Sequence, residues 1–396
     1  MRAEPGETGR PGYDPRDRRK LYRYGSLQPV RSSRRLEAEC RRNVEGRWRL
    51  GRRMPDYKSI AEFRRLQHEA MTAAGAEWVR RARQVGWVQG EWVASEGSKF
   101  RAVSSAPAVR EREAVQGYLD QWEKADPQDE VTMDERALAA ALEKLNNDPE
   151  PEARFMRRTN GYAPAYNVQT AVDAEHAIMV AQQVTTEAAD NRSLLPMAKA
   201  AKQALGTPVT LPVVADAGYS NGEQAEPCES QGIVPHGPSN RAIHHQGDGT
   251  RFDRRLFVYD EKTDPFRCPA GQILNRKQLS RKDRCVMYAA EAQVCGARAM
   301  KNRCTSTPRR WITRHRHEGA LQRMNQRATA QRMRLRRCTV ERPFAVLKHV
   351  ILGNARFLLR GRDGAQTEIS LATLAYNLKT MFHALGGYKL RSALAN

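Results

Sequence analysis

Two acidic residues stand where carboxylates can assist chemistry on phosphate esters. Asp216 directly follows the apolar run 211–215, which predicts a buried strand, and Glu341 is one of the few acids in the most basic part of the chain. Asp and Glu oxygens hold divalent cations such as Mg²⁺, which activate a nucleophile and stabilise a leaving oxygen. The plainer alternatives are a turn or helix cap at Asp216 and, at Glu341, a surface acid that balances local arginines.

Glu341 has basic neighbours at helical spacings. Arg337 precedes it by four residues and Lys348 follows it by seven, which is two helical turns. The three side chains share a face if one helix contains all of them. Pro343 leaves two alternatives open. A helix that begins early includes Arg337, whereas a helix capped by Thr339 tolerates Pro343 in its first turn and leaves Arg337 outside.

The chain is basic, and its positive charge is concentrated in two stretches. Its 396 residues include 67 Lys+Arg and 45 Asp+Glu, a formal net charge of +22. Residues 1–60 have 17 basic and 8 acidic side chains, and residues 281–360 have 20 and 4. An excess this local predicts contacts with phosphates, the alternative being a solvated basic face.

The marks of membrane and secreted proteins are missing from the sequence. It has no apolar run long enough to span a bilayer and no apolar leader segment. Its seven cysteines, an odd number, favour reduced thiols over a disulfide framework. We therefore expect an intracellular, cytoplasmic protein.

The elements that must position the acids form an α/β pattern. Alternation predicts a strand over 166–172 that ends at Asp173, and a β-rich run over 178–184 follows closely enough for a hairpin. Apolar residues at helical spacing over 194–205 predict an amphipathic helix before the strand that precedes Asp216. Sites in such units usually lie beyond the carboxyl ends of the strands.

Helical sequence surrounds this pattern. Near the N-terminus, Asp14 predicts a cap for one helix, Ser33 opens a second, and a capping box at Ser59 begins a third. Polar, helix-like sequence occupies 107–158. Apolar residues over 371–385 predict a closing helix that ends at the Gly386-Gly387 pair.

Two further segments complete the organisation. Residues 92–103 predict a strand that carries the sequence EGSK at 96–99. Residues 239–319 break into basic sequence with frequent Gly and Pro, which indicates an insertion. This segment contains Cys268, Cys285, Cys295 and Cys304.

Short motifs in a fixed order give the chain a family resemblance. They are GRPGYDPR at 9–16, PDYKSIA at 55–61, EGSKF at 96–100, YNVQTAVD at 166–173 with VADAGY at 214–219, the Arg337, Glu341, Lys348 spacing and LAYNLK at 374–379. With these motifs the chain resembles bacterial insertion-sequence transposases of the DDE class. The resemblance runs from about residue 9 to residue 385.

The resemblance implies a fold and a division into domains. The expected fold is an α/β, RNase H-like mixed sheet with flanking helices. An all-α, DNA-binding domain is expected at 9–88. The catalytic domain would take 89–238 and 331–388, with a helical insertion at about 107–158, and the basic, Cys-containing insertion would take 239–330.

The resemblance also implies an activity and the residues that perform it. Such an enzyme cuts and rejoins double-stranded DNA at the terminal inverted repeats of a mobile element, using Mg²⁺ or Mn²⁺. Glu96, Asp216 and Glu341 match the three metal-binding, catalytic acids, and Arg337 and Lys348 would contact phosphates. The basic insertion would extend the DNA surface. A homodimer in a synaptic complex, associated with the bacterial nucleoid, is expected by the same analogy.

One departure bears directly on activity. The first acid of the class is an Asp, and here the position is Glu96, unless Asp173 at the end of a predicted strand takes that role. An extra methylene displaces a carboxylate by about a bond length, and a displacement of ~1 Å can cost ~100-fold in rate. A disabled relic that binds DNA without cutting is therefore the alternative function, and an RNase H-like nuclease is a third.

The cysteines of the insertion depart from the class as well. Family members tend to have Cys, two residues, Cys, five residues and Cys, whereas Arg298 holds the middle position between Cys295 and Cys304 here. With Cys268 this leaves a four-coordinate zinc site one ligand short. We expect free thiols.

Overall fold

The chain divides into two compact units. The first comprises residues 1–190, 196–211 and 334–396, and the second comprises residues 191–195 and 212–333. The structure is a computed structural model that describes residues 13–122, 135–159, 161–206, 210–239, 251–280, 285–296 and 299–395. Across these ranges, no helix combines the length and apolar character needed to cross a bilayer.

Five helices form the N-terminal part of the first unit. They are α1 (Pro15–Leu27), α2 (Ser33–Arg42), α3 (Val44–Arg49), α4 (Tyr57–Leu66) and α5 (His68–Gln84). Apolar side chains from all of them except α3, including Leu21, Leu36, Ile60 and Met71, are buried in one cluster. The arginines remain mainly outside, as expected for amphipathic helices.

Side-chain caps decide where two of these helices begin. Asp14 caps α1 as predicted, because its carboxylate accepts a hydrogen bond from the Arg16 amide at 2.7 Å. The predicted capping box at Ser59 is wrong. Asp56 begins α4 instead, since its Oδ1 accepts hydrogen bonds from the Lys58 and Ser59 amides at 2.9 and 3.0 Å. Asp56, three residues before the predicted cap, thus accepts hydrogen bonds from first-turn amides that have no partner within the helix.

An antiparallel sheet follows the helices in the first unit. Its strands are β1 (Val93–Arg101), β2 (Arg154–Arg158), β3 (Gly161–Asp173) and β4 (Met179–Thr185). The long β3 pairs with β1 along one edge, and with β2 and then β4 along the other. The predicted hairpin of β3 and β4 is confirmed. In the β1–β3 register, Glu96 lies opposite Thr170 and Val93 lies opposite Asp173.

Three helices accompany this sheet along the chain. They are α6 (Ala106–Trp122), α7 (Glu135–Asn146) and α8 (Leu194–Leu205). The helix predicted over 194–205 has these same bounds in the structure. The helix-like sequence predicted over 107–158 instead ends in a strand, β2, which pairs with the first half of β3.

The second unit contains a short α/β segment and a separate sheet. Strands β5 (Leu211–Val214) and β6 (Ile233–His236) are neighbours joined by α9 (Gly222–Ser230).

The basic segment then forms a five-stranded sheet in the order β11-β10-β9-β8-β7. Its strands are β7 (Val258–Tyr259), β8 (Phe266–Arg267), β9 (Ile273–Ser280), β10 (Cys285–Ala289) and β11 (Ile312–His315). The short helices α10 (Ala292–Gly296) and α11 (Lys301–Cys304) precede β11, and α12 (Glu318–Arg327) follows it.

The last helices return the chain to the first unit. They are α13 (Ala330–Ala345), which continues into a π-helical turn (Val346–Ile351), and α14 (Gly361–Ala395). The predicted end at Gly386 is confirmed, because this residue has φ 73° and interrupts α14. The guanidinium of Arg31 ties α14 to the N-terminal helices through an ion pair with Glu368 at 2.5 Å.

Candidate active site

Strand β1 presents two chemically different faces. Side chains alternate along a strand, and so Glu96 and Phe100 lie on one face and Gly97 and Lys99 on the other. The Phe100 ring is buried against Phe344 of α13, with ring centroids 6.3 Å apart. Helix α13 therefore covers the face of β1 that carries Glu96.

Glu96 meets a guanidinium on that face. Its carboxylate forms an ion pair with Arg336 of α13, and both side chains are largely removed from solvent. Burial lowers the pKa of the Arg336 guanidinium, and the nearby Glu341 carboxylate partly counters this effect. Arg336 thus pairs with Glu96 from the same helix that carries Glu341.

Glu341 and Arg337 lie together on α13 and are exposed. The helix begins at Ala330 and contains both residues, so the alternative in which Thr339 caps it is wrong. The Thr339 hydroxyl instead donates to the Leu335 carbonyl at 2.8 Å inside the helix. Glu341 is therefore presented towards solvent one turn beyond Arg337.

Lys348 lies in the π-helical turn, where it is half-buried. Its Nζ is 5.6 Å from the centroid of the Phe100 ring and 5.9 Å from that of Phe344. Burial, with a smaller contribution from the positive charge of Arg158, lowers the pKa of Lys348. The wider π turn brings this ammonium onto the same aromatic layer that anchors α13 to β1.

Asp216 belongs to the second unit. It follows β5, whose residues Val213 and Val214 are fully buried, as predicted from the apolar run. Its Oδ1 accepts a hydrogen bond from the Gly218 amide at 2.8 Å and caps a short 3₁₀ turn. The side chain is only half-buried.

Asp173, the alternative first acid, has a structural role. Its carboxylate accepts hydrogen bonds from the Gly90 amide at 3.2 Å and the His176 amide at 3.1 Å. The residue is 1% exposed, and burial raises the pKa of its carboxyl group. Because Asp173 fixes the β3–β4 turn three positions along the register from Glu96, it does not join the Glu96–Arg336 pair.

The opposite face of β1 is organised around Asp190. Its Oδ1 accepts hydrogen bonds from Asn167 at 2.7 Å and Gln169 at 2.6 Å, and forms an ion pair with Lys99 at 3.3 Å. Lys99 of the EGSK motif and the two amides of the YNVQ motif, Asn167 and Gln169, therefore meet across β1 and β3. Gly97 leaves room for this network, since a Cβ there would clash with the Asp190 and Gln169 side chains.

Gly97→Ala is accordingly expected to destabilise the protein by about 1–3 kcal/mol, because the added methyl group displaces a buried carboxylate network. Urea unfolding followed by circular dichroism measures the change. Gly117→Ala is the matched control, since nothing lies near a Cβ at that position of α6. It should be neutral or stabilising by up to ~1 kcal/mol. Equal stability of both variants would contradict the steric argument.

The candidate acids suit a divalent cation in their chemistry. All three offer hard carboxylate oxygens, and Glu96 already neutralises a cation, the Arg336 guanidinium. Among the described residues, however, no group of three or more His, Cys, Asp or Glu is placed to hold a metal ion. A cation at the Glu96 carboxylate would share it with Arg336 or displace that ion pair.

Three cysteines of the second unit converge without forming disulfides. Cys268, Cys295 and Cys304 line one apolar cavity, and all three are free. Burial raises the pKa of the Cys304 thiol, the charge of Arg310 opposes this, and the two neighbouring thiols add smaller increases. Arg298, which replaces the middle cysteine of the family pattern, lies outside the described residues.

Sequence analysis did not identify Arg336 as the partner of Glu96. Motif matching pointed to Arg337, which lies next to it. A signal was nevertheless present, because Arg336, Val340 and Phe344 recur every four residues and the last two are buried. A charged residue in line with an apolar stripe is expected to need a buried partner.

Two protein-family models match the chain. One is described as Transposase DDE domain and matches residues 148–378, more than half of the sequence. The other is described as Transposase domain (DUF772) and matches residues 2–66. No curated protein and no solved structure gives a match. The resemblance found from the motifs is thereby confirmed, and the chain belongs to the insertion-sequence transposases of the DDE class.

Proposed function

We propose that the protein cuts DNA at the terminal inverted repeats of its own insertion sequence and transfers the cut strand to target DNA. Glu96, Asp216 and Glu341 are the proposed catalytic acids. The observation that carries the proposal is the ion pair that joins Glu96 of β1 to Arg336 of α13, the helix that also carries Arg337 and Glu341, within a chain of the DDE class.

Each residue has a distinct part in this reaction. The three carboxylates would hold Mg²⁺ or Mn²⁺, which when bound activates the attacking oxygen and stabilises the leaving one. In cleavage, a water oxygen forms a bond to phosphorus while the bond to the leaving strand oxygen breaks. In transfer, a strand hydroxyl takes the place of water. A dimer would bring two element ends together.

The two basic residues of the motif differ in what they can do for DNA. Arg337 is exposed, and its guanidinium is free to take a phosphate in bidentate fashion. Lys348 is half-buried on Phe100 and Phe344, and so its ammonium holds a positive charge in a fixed position against the strand that carries Glu96. Both would contribute positive charge to the binding of DNA phosphates.

A cleavage assay tests the proposal. A linear duplex that carries the inverted repeats flanking the gene is incubated with the full chain and Mg²⁺ or Mn²⁺. Strand breaks at the repeat ends are expected, followed by joining to a target plasmid, and chelation by EDTA should abolish both. Cutting without joining would instead indicate a nuclease. Cutting that persists in EDTA would contradict the metal-dependent mechanism.

A second candidate function follows from the Glu96–Arg336 ion pair. If this pair keeps the longer carboxylate away from a cation, the protein binds element ends without cutting them. This relic function predicts salt-sensitive, end-specific binding and no strand breaks in either metal. Any cleavage by the unaltered protein would exclude it.

A further inference from the structure

The second unit has a basic groove whose side chains take no part in the catalytic proposal. Its cavity measures about 810 Å³ and is lined by Arg276, Arg314 and Arg316, together with the carboxylates Asp264 and Glu223. Arg276 lies on β9 and Arg314 on β11, the two strands that flank β10. These three arginines define the basic groove.

Asp264 organises the groove without neutralising its arginines through ion pairs. Its Oδ1 accepts hydrogen bonds from the Tyr288 hydroxyl at 2.6 Å and the Tyr259 hydroxyl at 2.8 Å. These bonds, with smaller contributions from Arg276 and Arg314, lower the pKa of the Asp264 carboxyl. The acid is therefore ionised, and it fixes the ring of Tyr288 in the groove lining and the neighbouring ring of Tyr259.

One of those rings holds a guanidinium in place. The Cζ atom of Arg314 lies 4.0 Å from the centroid of the Tyr259 ring. Stacking of this kind orients the planar group and leaves its N–H donors at the edges available. Arg314 is thus preorganised for a ligand with acceptor oxygens.

The spacing of the arginines favours a polyanion over a single phosphate. Strands β9 and β11 are separated by β10, so their backbones lie roughly 10 Å apart. In the register, Arg314 is opposite Val286, and Arg276 is opposite Tyr288 further along β10. Guanidinium groups on separate strands match separate phosphates, and the apolar side chains of Leu279 and Val286 between them suit sugar contacts.

The charge of the surrounding segment is complementary to DNA. Residues 251–330 contain 19 Lys+Arg and 7 Asp+Glu, so cations remain in excess after the local acids are matched. Arg276 and Arg316 are exposed, and across the described residues neither forms an ion pair. We infer that the basic groove binds the phosphate backbone of duplex DNA. This inference rests on the proposed function for its choice of DNA as the polyanion.

Equilibrium binding at several salt concentrations tests the inference. The full chain is titrated into a fluorescein-labelled 40-base-pair duplex of arbitrary sequence in EDTA, and anisotropy gives the affinity. Because each phosphate contact contributes ~0.9 to the salt slope, the triple variant R276Q/R314Q/R316Q should lower the slope by about 2–3. The Lys triple variant R276K/R314K/R316K should recover most of that loss.

A matched control separates local contacts from overall charge. The variant R251Q/K262Q/R267Q removes three exposed cations of the second unit that do not line the groove. Its slope should stay close to that of the unaltered protein. Equal slopes in the two Gln triple variants would overturn the inference.

The binding test remains informative if a variant fails to fold or if the protein does not cut DNA. If the triple Gln variant does not fold, the exposed single change R316Q replaces it, with an expected slope decrease of ~0.9. An unchanged slope in R316Q would then count against the groove. Because binding is measured in EDTA, a protein that never cuts DNA can still show the decrease in salt slope. An unchanged slope would contradict the groove but would leave the catalytic proposal to be decided by the cleavage assay.

Discussion

Asp216→Asn is expected to reduce strand cleavage by at least about 1000-fold, the scale on which loss of a principal electrostatic or catalytic group slows an enzyme. Asn keeps the size of the side chain and the hydrogen bond that Oδ1 accepts from the Gly218 amide. It removes the negative charge that a divalent cation requires. Single-turnover cleavage of the repeat-bearing duplex measures the effect. Glu341→Gln should behave in the same way.

Asp173→Asn is the control for this prediction. Asp173 also ends a strand, but its carboxylate is buried and accepts hydrogen bonds from two backbone amides. An Asn side chain keeps one of these two acceptor oxygens, and because the residue lies away from the Glu96–Arg336 pair, cleavage by the folded variant should continue at the unaltered rate. If Asp216→Asn and Glu341→Gln cut as fast as the unaltered protein, the assignment of the acids is wrong. A loss confined to Asp173→Asn would move the first acid there.

Glu96→Asp is expected to raise cleavage by up to ~100-fold. The shorter side chain withdraws from Arg336, whose ion pair with Glu96 otherwise occupies the carboxylate. It also restores the residue that the DDE class has at this position. The same single-turnover assay, repeated over a range of Mn²⁺ concentrations, should show a lower metal requirement for the variant.

Glu96→Gln distinguishes charge from length. It keeps the longer side chain and loses the negative charge, so it should give no gain and should abolish any residual cutting. If the unaltered protein does not cut DNA and only Glu96→Asp gains cleavage activity, the relic interpretation is supported. If Glu96→Asp cuts more slowly than the unaltered chain, the longer carboxylate is the functional one and the displacement argument fails.

Local sequence patterns predicted the local elements well. The helix over 194–205 was predicted with its observed bounds, because its apolar spacing and the following glycine act within a few residues. The hairpin of β3 and β4 and the helix end at Gly386 were predicted for the same reason. The cap of α4 was misplaced because a capping box at Ser59 resembles the true start at Asp56, only three residues away.

Contacts between distant segments could not be predicted in this way. The Asp190 network joins residues of β1 and β3 with a loop acid that no motif had marked. The five-stranded sheet arose from a segment whose strands are short and interrupted, so periodicity carried little signal. The choice of Arg336 over Arg337 as the partner of Glu96 depends on which side of α13 faces β1.

The sequence by itself determined the family, the regional positive charge and the residue types available for chemistry. Family motifs and charge are properties of the amino-acid sequence, and they can be recognised without the tertiary structure. Only the tertiary structure decided that Glu96 meets Arg336, that Asp173 fixes a turn, and that arginines from separate strands line one groove. The physical reason is that strand pairing and helix packing orient side chains from distant segments, and local spacing does not contain that orientation.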